Sequence, residues 1–117
     1  MSAIQEAYAR IGADYDDVLK RLMNEQLVTR FLGKFLDDAS FSNLKQALEA
    51  ADADAAFMAA HTLKGVCQNL GLSNLYVPVH DITEVLRAKS LDGTQELFAQ
   101  VETEYEKTVA ALRAALQ

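Results

Sequence analysis

His61 and Lys64 are the two residues whose types and spacing are best suited to chemistry in this sequence. Neutral imidazole is a good nucleophile near pH 7. A lysine three residues later lies on the next turn of a helix, where its ammonium reaches an anion held at the ring. Gly65 has no side chain and leaves space beside the ring for a partner's reactive group. A phosphoryl group suits this site, because lysine offsets the charge that spreads over its oxygens during transfer.

The segment that carries His61 is predicted to be a helix, from its N-cap Asp52 to a stop at Gly71. At 3.6 residues per turn, Gln68 lies on the same side as the histidine, where its amide could donate a further hydrogen bond. The opposite side carries an apolar stripe that is expected to face the core: Ala56, Ala59, Leu63, Val66 and Leu70. The histidine is therefore predicted to face solvent on a helix that is buried at its back.

The rest of the sequence predicts helices that frame this segment. They are a helix over 3–11, a second one capped by Asp14, an arm over 25–51 capped by Asn24 with a break near residue 39, a helix over 74–89 capped by Ser73, and a last helix that runs nearly to the C-terminus. We predict an all-α fold, an up-and-down antiparallel four-helix bundle formed by residues 24–117. The short helices of residues 1–23 are expected to pack on it as an N-terminal extension.

The bulk composition limits the classes of function. A formal charge of −6 on 117 residues argues against nucleic acid or an anionic membrane as the main partner, because both attract basic surfaces. No apolar run approaches the length of a membrane span, and no secretory signal is visible. The single cysteine, Cys67, cannot form an internal disulfide and is interpreted as a small core residue. We therefore expect a cytoplasmic protein that acts as a monomer.

A docking surface is predicted around the histidine. Phe57 and Met58 precede it by four and three residues, and an exposed apolar rim beside a reactive residue suggests a protein partner. We expect at least one of the two to be exposed, with Thr62 and Thr83 completing the surface.

The sequence has no glycine-rich nucleotide loop and no paired acids for magnesium. His61 also lacks the glutamate three residues earlier that di-metal bundle sites require. A phosphoryl group would therefore have to arrive from one protein and leave to another.

The motif around the histidine is His61-Thr62-Leu63-Lys64-Gly65, followed by Leu70-Gly71. It resembles the signature of histidine-containing phosphotransfer (HPt) domains of two-component phosphorelays, and the resemblance covers about residues 25–115. It implies a four-helix bundle whose His61 takes a phosphoryl group, usually on Nε2, from an aspartate of a receiver domain and passes it to another receiver. Lys64 would steady the phosphoryl oxygens, and Gly65 would let the receiver approach.

The same resemblance implies a phosphocarrier that is not an enzyme in its own right, because its active site is shared with the partner receiver domain. It implies no cofactor of its own, with magnesium bound by the receiver.

The sequence departs from the family at one position. Many members place a glutamine or glutamate about 22 residues after the histidine to bond the other ring nitrogen, and here that position is Thr83. Thr83 acting through a water, Gln68, a backbone group, His80 or Glu84 could take over this bond, and the sequence leaves the choice open.

Two other functions are compatible with the sequence. A helical adaptor that binds a receiver or a kinase without carrying phosphate would need only the surface of Phe57 and Met58, and neither His61 nor Lys64. A donor domain attached to a kinase would share the same site chemistry, although the length of the chain favours a free-standing module.

Overall fold

The computed structural model describes residues 1–117, and every regular element in it is a helix. Seven helices follow one another along the chain: α1 Ala3–Ile11, α2 Tyr15–Leu22, α3 Glu25–Leu36, α4 Ser40–Glu49, α5 Ala53–Asn69, α6 Ser73–Arg87 and α7 Thr94–Ala115. The predicted all-α class is confirmed. None of the seven helices combines the length and the apolar character needed to span a membrane.

The bundle is built by neighbouring helices that pack in chain order. α4 packs on α5, α5 on α6 and α6 on α7, and the molecule measures 42 × 22 × 21 Å along its principal axes. Aromatic rings pack between α7 and the arm that α3 and α4 form. The ring of Tyr105 on α7 lies 3.9 Å from that of Phe41 and 6.0 Å from that of Phe35, measured between centroids. The arm is interrupted at residues 37–39, between α3 and α4, which confirms the predicted break near residue 39.

Side-chain caps begin three of the helices where the sequence predicts them. Asp14, Asn24 and Asp52 each accept a hydrogen bond from the backbone N–H three residues later, at 2.9–3.0 Å. These bonds satisfy amides that have no partner inside the helix. The predicted cap at Ser73 is wrong. Leu72 occupies the cap position of α6, and the Ser73 hydroxyl instead donates to the carbonyl of Gly12 at 3.2 Å.

The two N-terminal helices pack on the bundle and are tied to the end of α5. α1 packs on α7 and α2 on α3, and residues from both helices join a single apolar core. The buried Tyr8 hydroxyl donates to the carbonyl of Leu70 at 2.7 Å, and the Asp14 amide donates to the carbonyl of Gly71 at 2.8 Å. The division into a 1–23 extension and a 24–117 bundle stays a prediction.

Gly71 follows the end of α5 in a backbone conformation that glycine adopts more easily than other residues. Its φ of 64° lies in the left-handed region, as expected for a residue that ends a helix. A Cβ added here would lie 2.6 Å from the carbonyl oxygen of Asp14 and 3.3 Å from the amide nitrogen of Val18. The absence of a side chain therefore lets the α2 backbone approach the turn between α5 and α6, where the helix that carries His61 ends.

Candidate functional site

His61 lies near the middle of α5 with its side chain exposed to solvent, as predicted. The back of this helix is buried against its neighbours through five residues: Ala56, Ala59, Ala60, Leu63 and Cys67. The Asp52 cap holds one end of α5, and the hydrogen bonds from Tyr8 and Asp14 hold the other. The histidine is therefore presented by a helix that is fixed at its back and at both ends.

Lys64 and Gly65 lie one turn beyond the histidine. The half-buried Lys64 makes no salt bridge and no side-chain hydrogen bond, so its ammonium is free to bind an anion. Gly65 is exposed, and a Cβ built on it would meet no atom within 4 Å. The structure thus places an exposed imidazole, an unpaired cation and an open gap on one face of α5.

Thr83 on α6 is a correction to the predicted site. Its exposed fraction is 0%, so it cannot contact a docking partner. Its hydroxyl donates to the carbonyl of Val79 four residues earlier, at 2.6 Å. A threonine in a helix can satisfy its hydroxyl in this local way. Thr83 also makes no hydrogen bond to His61, and its burial removes it from the docking surface.

The other groups considered for orienting the His61 ring also make no hydrogen bond to it. The His80 ring stacks on Tyr76, with centroids 5.8 Å apart, and its Nδ1 lies 3.6 Å from a carboxylate oxygen of Asp81. Gln68 is seven residues beyond the histidine, about 10 Å along the helix axis. It lines a separate cavity of about 330 Å³ that α2 and α6 also border. The nitrogens of His61 therefore have no side-chain partner within the chain.

The ring of His61 instead contacts an aromatic ring. Phe57 stacks on it with centroids 5.6 Å apart and an interplanar angle of 19°. The guanidinium of Arg87, from α6, lies 5.1 Å from the centroid of Phe57. Sequence reasoning assigned no role to Arg87. The signal in the sequence is its position on α6, one turn after Thr83.

An acidic side chain faces this site from α6. A carboxylate oxygen of Glu84 accepts a hydrogen bond from Nε of Arg87 at 3.2 Å. This bond, with the charges of Arg87, His80 and Lys64, holds the pKa of the Glu84 carboxyl below its usual range. Glu84 therefore stays ionised near neutral pH and engages Arg87, leaving Lys64 as the unpaired cation beside the histidine.

The apolar rim of the site is formed mainly by Met58. Its side chain is 65% exposed, whereas Phe57 is half-buried under its contacts with His61 and Arg87. The expectation that at least one of the two is exposed is thus confirmed. Thr62 is also exposed, with its hydroxyl donating to the carbonyl of Met58 at 2.9 Å.

Cys67 lies below this face in the core and is fully buried. Burial raises the pKa of its thiol to about 12, which suppresses the reactive thiolate. The interpretation of Cys67 as a small core residue is confirmed. No group of three or more His, Cys, Asp and Glu side chains is arranged to hold a metal ion.

The site thus consists of an exposed histidine beside an unpaired lysine on one helix of an all-helical bundle. The chain matches the family described as Hpt domain over residues 26–115, which is most of its length, and it belongs to that family. Hpt domains act in phosphotransfer within two-component signalling, as phosphocarriers and not kinases, and they interact with receiver domains. No curated protein and no solved structure matches the chain.

Proposed function

We propose that this protein is a phosphorelay intermediate that accepts a phosphoryl group on His61 from a receiver-domain aspartate and passes it to another receiver. The observation that carries the proposal is the exposure of His61 on α5, next to an unpaired Lys64 and to open space at Gly65. All three residues lie inside the range that matches the family.

The proposed transfer is a displacement at phosphorus. The lone pair of a ring nitrogen of His61, Nε2 by analogy with the family, forms the P–N bond as the P–O bond to the receiver's aspartate breaks. The aspartate keeps the electron pair and returns to a carboxylate. The proton on the other ring nitrogen stays on the ring or passes to water, which is accessible because the side chain is exposed. The second transfer is the reverse of this step with a different receiver.

Each neighbouring residue has a part in this scheme. The ammonium of Lys64 offsets the charge on the phosphoryl oxygens, and the gap at Gly65 admits the receiver's active-site loops. Met58, Phe57, Thr62 and Gln68 contact the receiver surface around them. The magnesium ion of the reaction is bound by the receiver, and this protein needs no cofactor of its own. We place this activity in a monomer in the cytoplasm.

A non-phosphorylated adaptor is the alternative, and the site favours transfer over it. An adaptor would bind through apolar surface such as Met58 and would need no reactive side chain. Binding alone needs neither an exposed histidine nor a lysine without an ion-pair partner beside it. Both suit an incoming phosphoryl group. The two functions differ in whether the protein becomes labelled.

The test is incubation with a phosphorylated receiver and magnesium, followed by a search for an acid-labile, alkali-stable label. We expect the unmutated protein and His80→Gln to take up label equally, and His61→Gln to take up none. His80 is the matched control because it is the only other histidine. Uptake by His61→Gln equal to that of the unmutated protein would refute the proposal. Binding of the receiver without any label would support the adaptor.

A further inference from the structure

The orientation of the His61 ring needs a physical cause. Exposed side chains change rotamer on the picosecond to nanosecond timescale unless a contact holds them. No side chain bonds the ring nitrogens: the hydroxyl of Thr83 donates to the carbonyl of Val79, and the carboxylate of Glu84 accepts from Arg87. The contact that the ring does make is the near-parallel stack on Phe57, one turn earlier on the same helix.

Phe57 is itself held from the neighbouring helix. The guanidinium of Arg87 lies over its ring at 5.1 Å, within the range of a cation–π contact. Arg87 is in turn bonded to Glu84 at 3.2 Å. A continuous series of contacts therefore runs from Glu84 and Arg87 on α6, through Phe57, to His61 on α5. We refer to Glu84, Arg87 and Phe57, which together hold the His61 ring, as the aromatic clamp.

We propose that Phe57, anchored by Arg87, is the positioning residue for His61 in phosphoryl transfer, in place of a hydrogen bond to the second ring nitrogen. This inference rests on the proposed function and goes beyond it, because it assigns the control of the histidine's orientation. A stack fixes the plane of the imidazole and leaves both nitrogens open to solvent. The clamp therefore selects an orientation of the ring without selecting a tautomer.

The chain contains a matched pair that separates this role from a general effect of aromatic residues. On α6, Tyr76 stacks on His80 with the same four-residue spacing, a centroid separation of 5.8 Å and an angle of 23°. The geometry is nearly that of Phe57 and His61, at 5.6 Å and 19°. Removing the Tyr76 ring therefore removes a similar stack from the histidine that is not proposed to carry phosphate.

The first measurement is the NMR spectrum of the two histidine rings in the full-length protein without any phosphate donor. We expect Phe57→Leu to shift the ring-proton resonances of His61, because the ring current of the phenyl group is lost, and to leave those of His80 in place. Tyr76→Leu should do the opposite. Phe57→Tyr should preserve the His61 resonances, because it retains the aromatic ring.

The second measurement is the transfer rate at saturating and at limiting receiver concentration. Because an aromatic stack biases orientation modestly, we expect Phe57→Leu to slow transfer at saturation about threefold to tenfold. Arg87→Met should slow it about twofold to fivefold through the loss of the cation–π contact. Phe57→Tyr should restore most of the rate that Phe57→Leu loses, because it retains the aromatic ring. Tyr76→Leu should stay close to the unmutated rate. Circular dichroism and thermal unfolding verify that each variant is folded, and Arg87→Met alters only an exposed side chain.

Two results would overturn the inference. One is an unchanged His61 spectrum in Phe57→Leu. The other is a change confined to the receiver concentration needed for half-maximal transfer, which would make Phe57 a docking residue only. If the unmutated protein takes up no label, the proposed function fails instead. The spectra would still show whether the clamp holds the ring, so the two failures are distinguishable.

Discussion

Replacing Gly65 by alanine is expected to change stability and transfer in opposite directions. Gly65 lies inside α5, is exposed, and has no atom within 4 Å of an added Cβ. The methyl group therefore causes no clash, and the better helix propensity of alanine should raise the free energy of unfolding by ~1 kcal/mol. For a chain of this size that corresponds to a rise in Tm of about 3–6 °C.

The same methyl group should hinder the receiver. It would occupy the gap one turn from His61 where the proposed partner brings its phosphorylated aspartate. An extra methyl group in a closely packed contact costs about 1–3 kcal/mol, which corresponds to a loss in transfer efficiency of about fivefold to 150-fold. A leucine at this position should lower transfer further, because its side chain extends more deeply into the same space.

Gly33 provides the matched control. It lies inside α3, and an added Cβ there also meets no atom within 4 Å. Gly33→Ala should therefore gain a similar stability, while transfer stays unchanged because the site lies on α5. Thermal unfolding followed by circular dichroism measures the first quantity, and the time course of label transfer from a single receiver measures the second. If Gly65→Ala is more stable but transfers phosphate as fast as the unmutated protein, the role assigned to the gap is contradicted. A loss of stability would contradict the helix argument.

Three further substitutions test the site and its support. Lys64→Ala should leave the free energy of unfolding within about 0.5 kcal/mol, since the lysine makes no ion pair. It should slow transfer about tenfold to a hundredfold in the label assay, and unchanged rates would show that the ammonium does not contact the phosphoryl group. Gly71→Ala should destabilise the fold by about 2–5 kcal/mol in urea unfolding, through the left-handed backbone and the collision with the carbonyl of Asp14. If Gly71→Ala has the same free energy of unfolding as the unmutated protein, the turn can shift to accommodate the methyl group at no cost. Tyr8→Phe should cost about 1–3 kcal/mol in the same measurement, because it leaves the carbonyl of Leu70 without its hydroxyl partner. A smaller loss would show that another group satisfies that carbonyl.

Residue patterns within single helices correctly predict most helix ends and the exposure of His61. Asp14, Asn24 and Asp52 cap helices because their side chains reach a backbone amide three residues away, whatever the tertiary fold. The exposure of His61 is predicted correctly because the apolar stripe on the opposite side of α5 is buried, except at Val66, which is half-buried. In these cases the cause lies within one turn or one helix, so a pattern of residue types reveals it.

The features that the sequence did not reveal depend on contacts between elements. Ser73 has the right residue type for a cap, but its hydroxyl finds the carbonyl of Gly12, 61 positions earlier in the chain. Thr83 lies 22 residues after His61 and is predicted to belong to the docking surface, yet the packing of α6 buries it in the core. The contact of Arg87 with Phe57 requires the relative placement of two helices, which periodicity within each helix does not contain.

The attachment of the N-terminal helices to the end of α5 has a consequence for local motion. The last carbonyl groups of a helix normally lack partners, and helix ends are where fraying begins. Here the two residues that follow α5, Leu70 and Gly71, have their carbonyls bonded by Tyr8 and Asp14, which lie more than fifty residues earlier in the chain. The end of α5 can therefore open only when α1 and α2 detach from it. We expect the amide hydrogens of Leu70 and Leu72 to exchange with solvent through that larger opening, so that the histidine rests on a helix that does not fray alone.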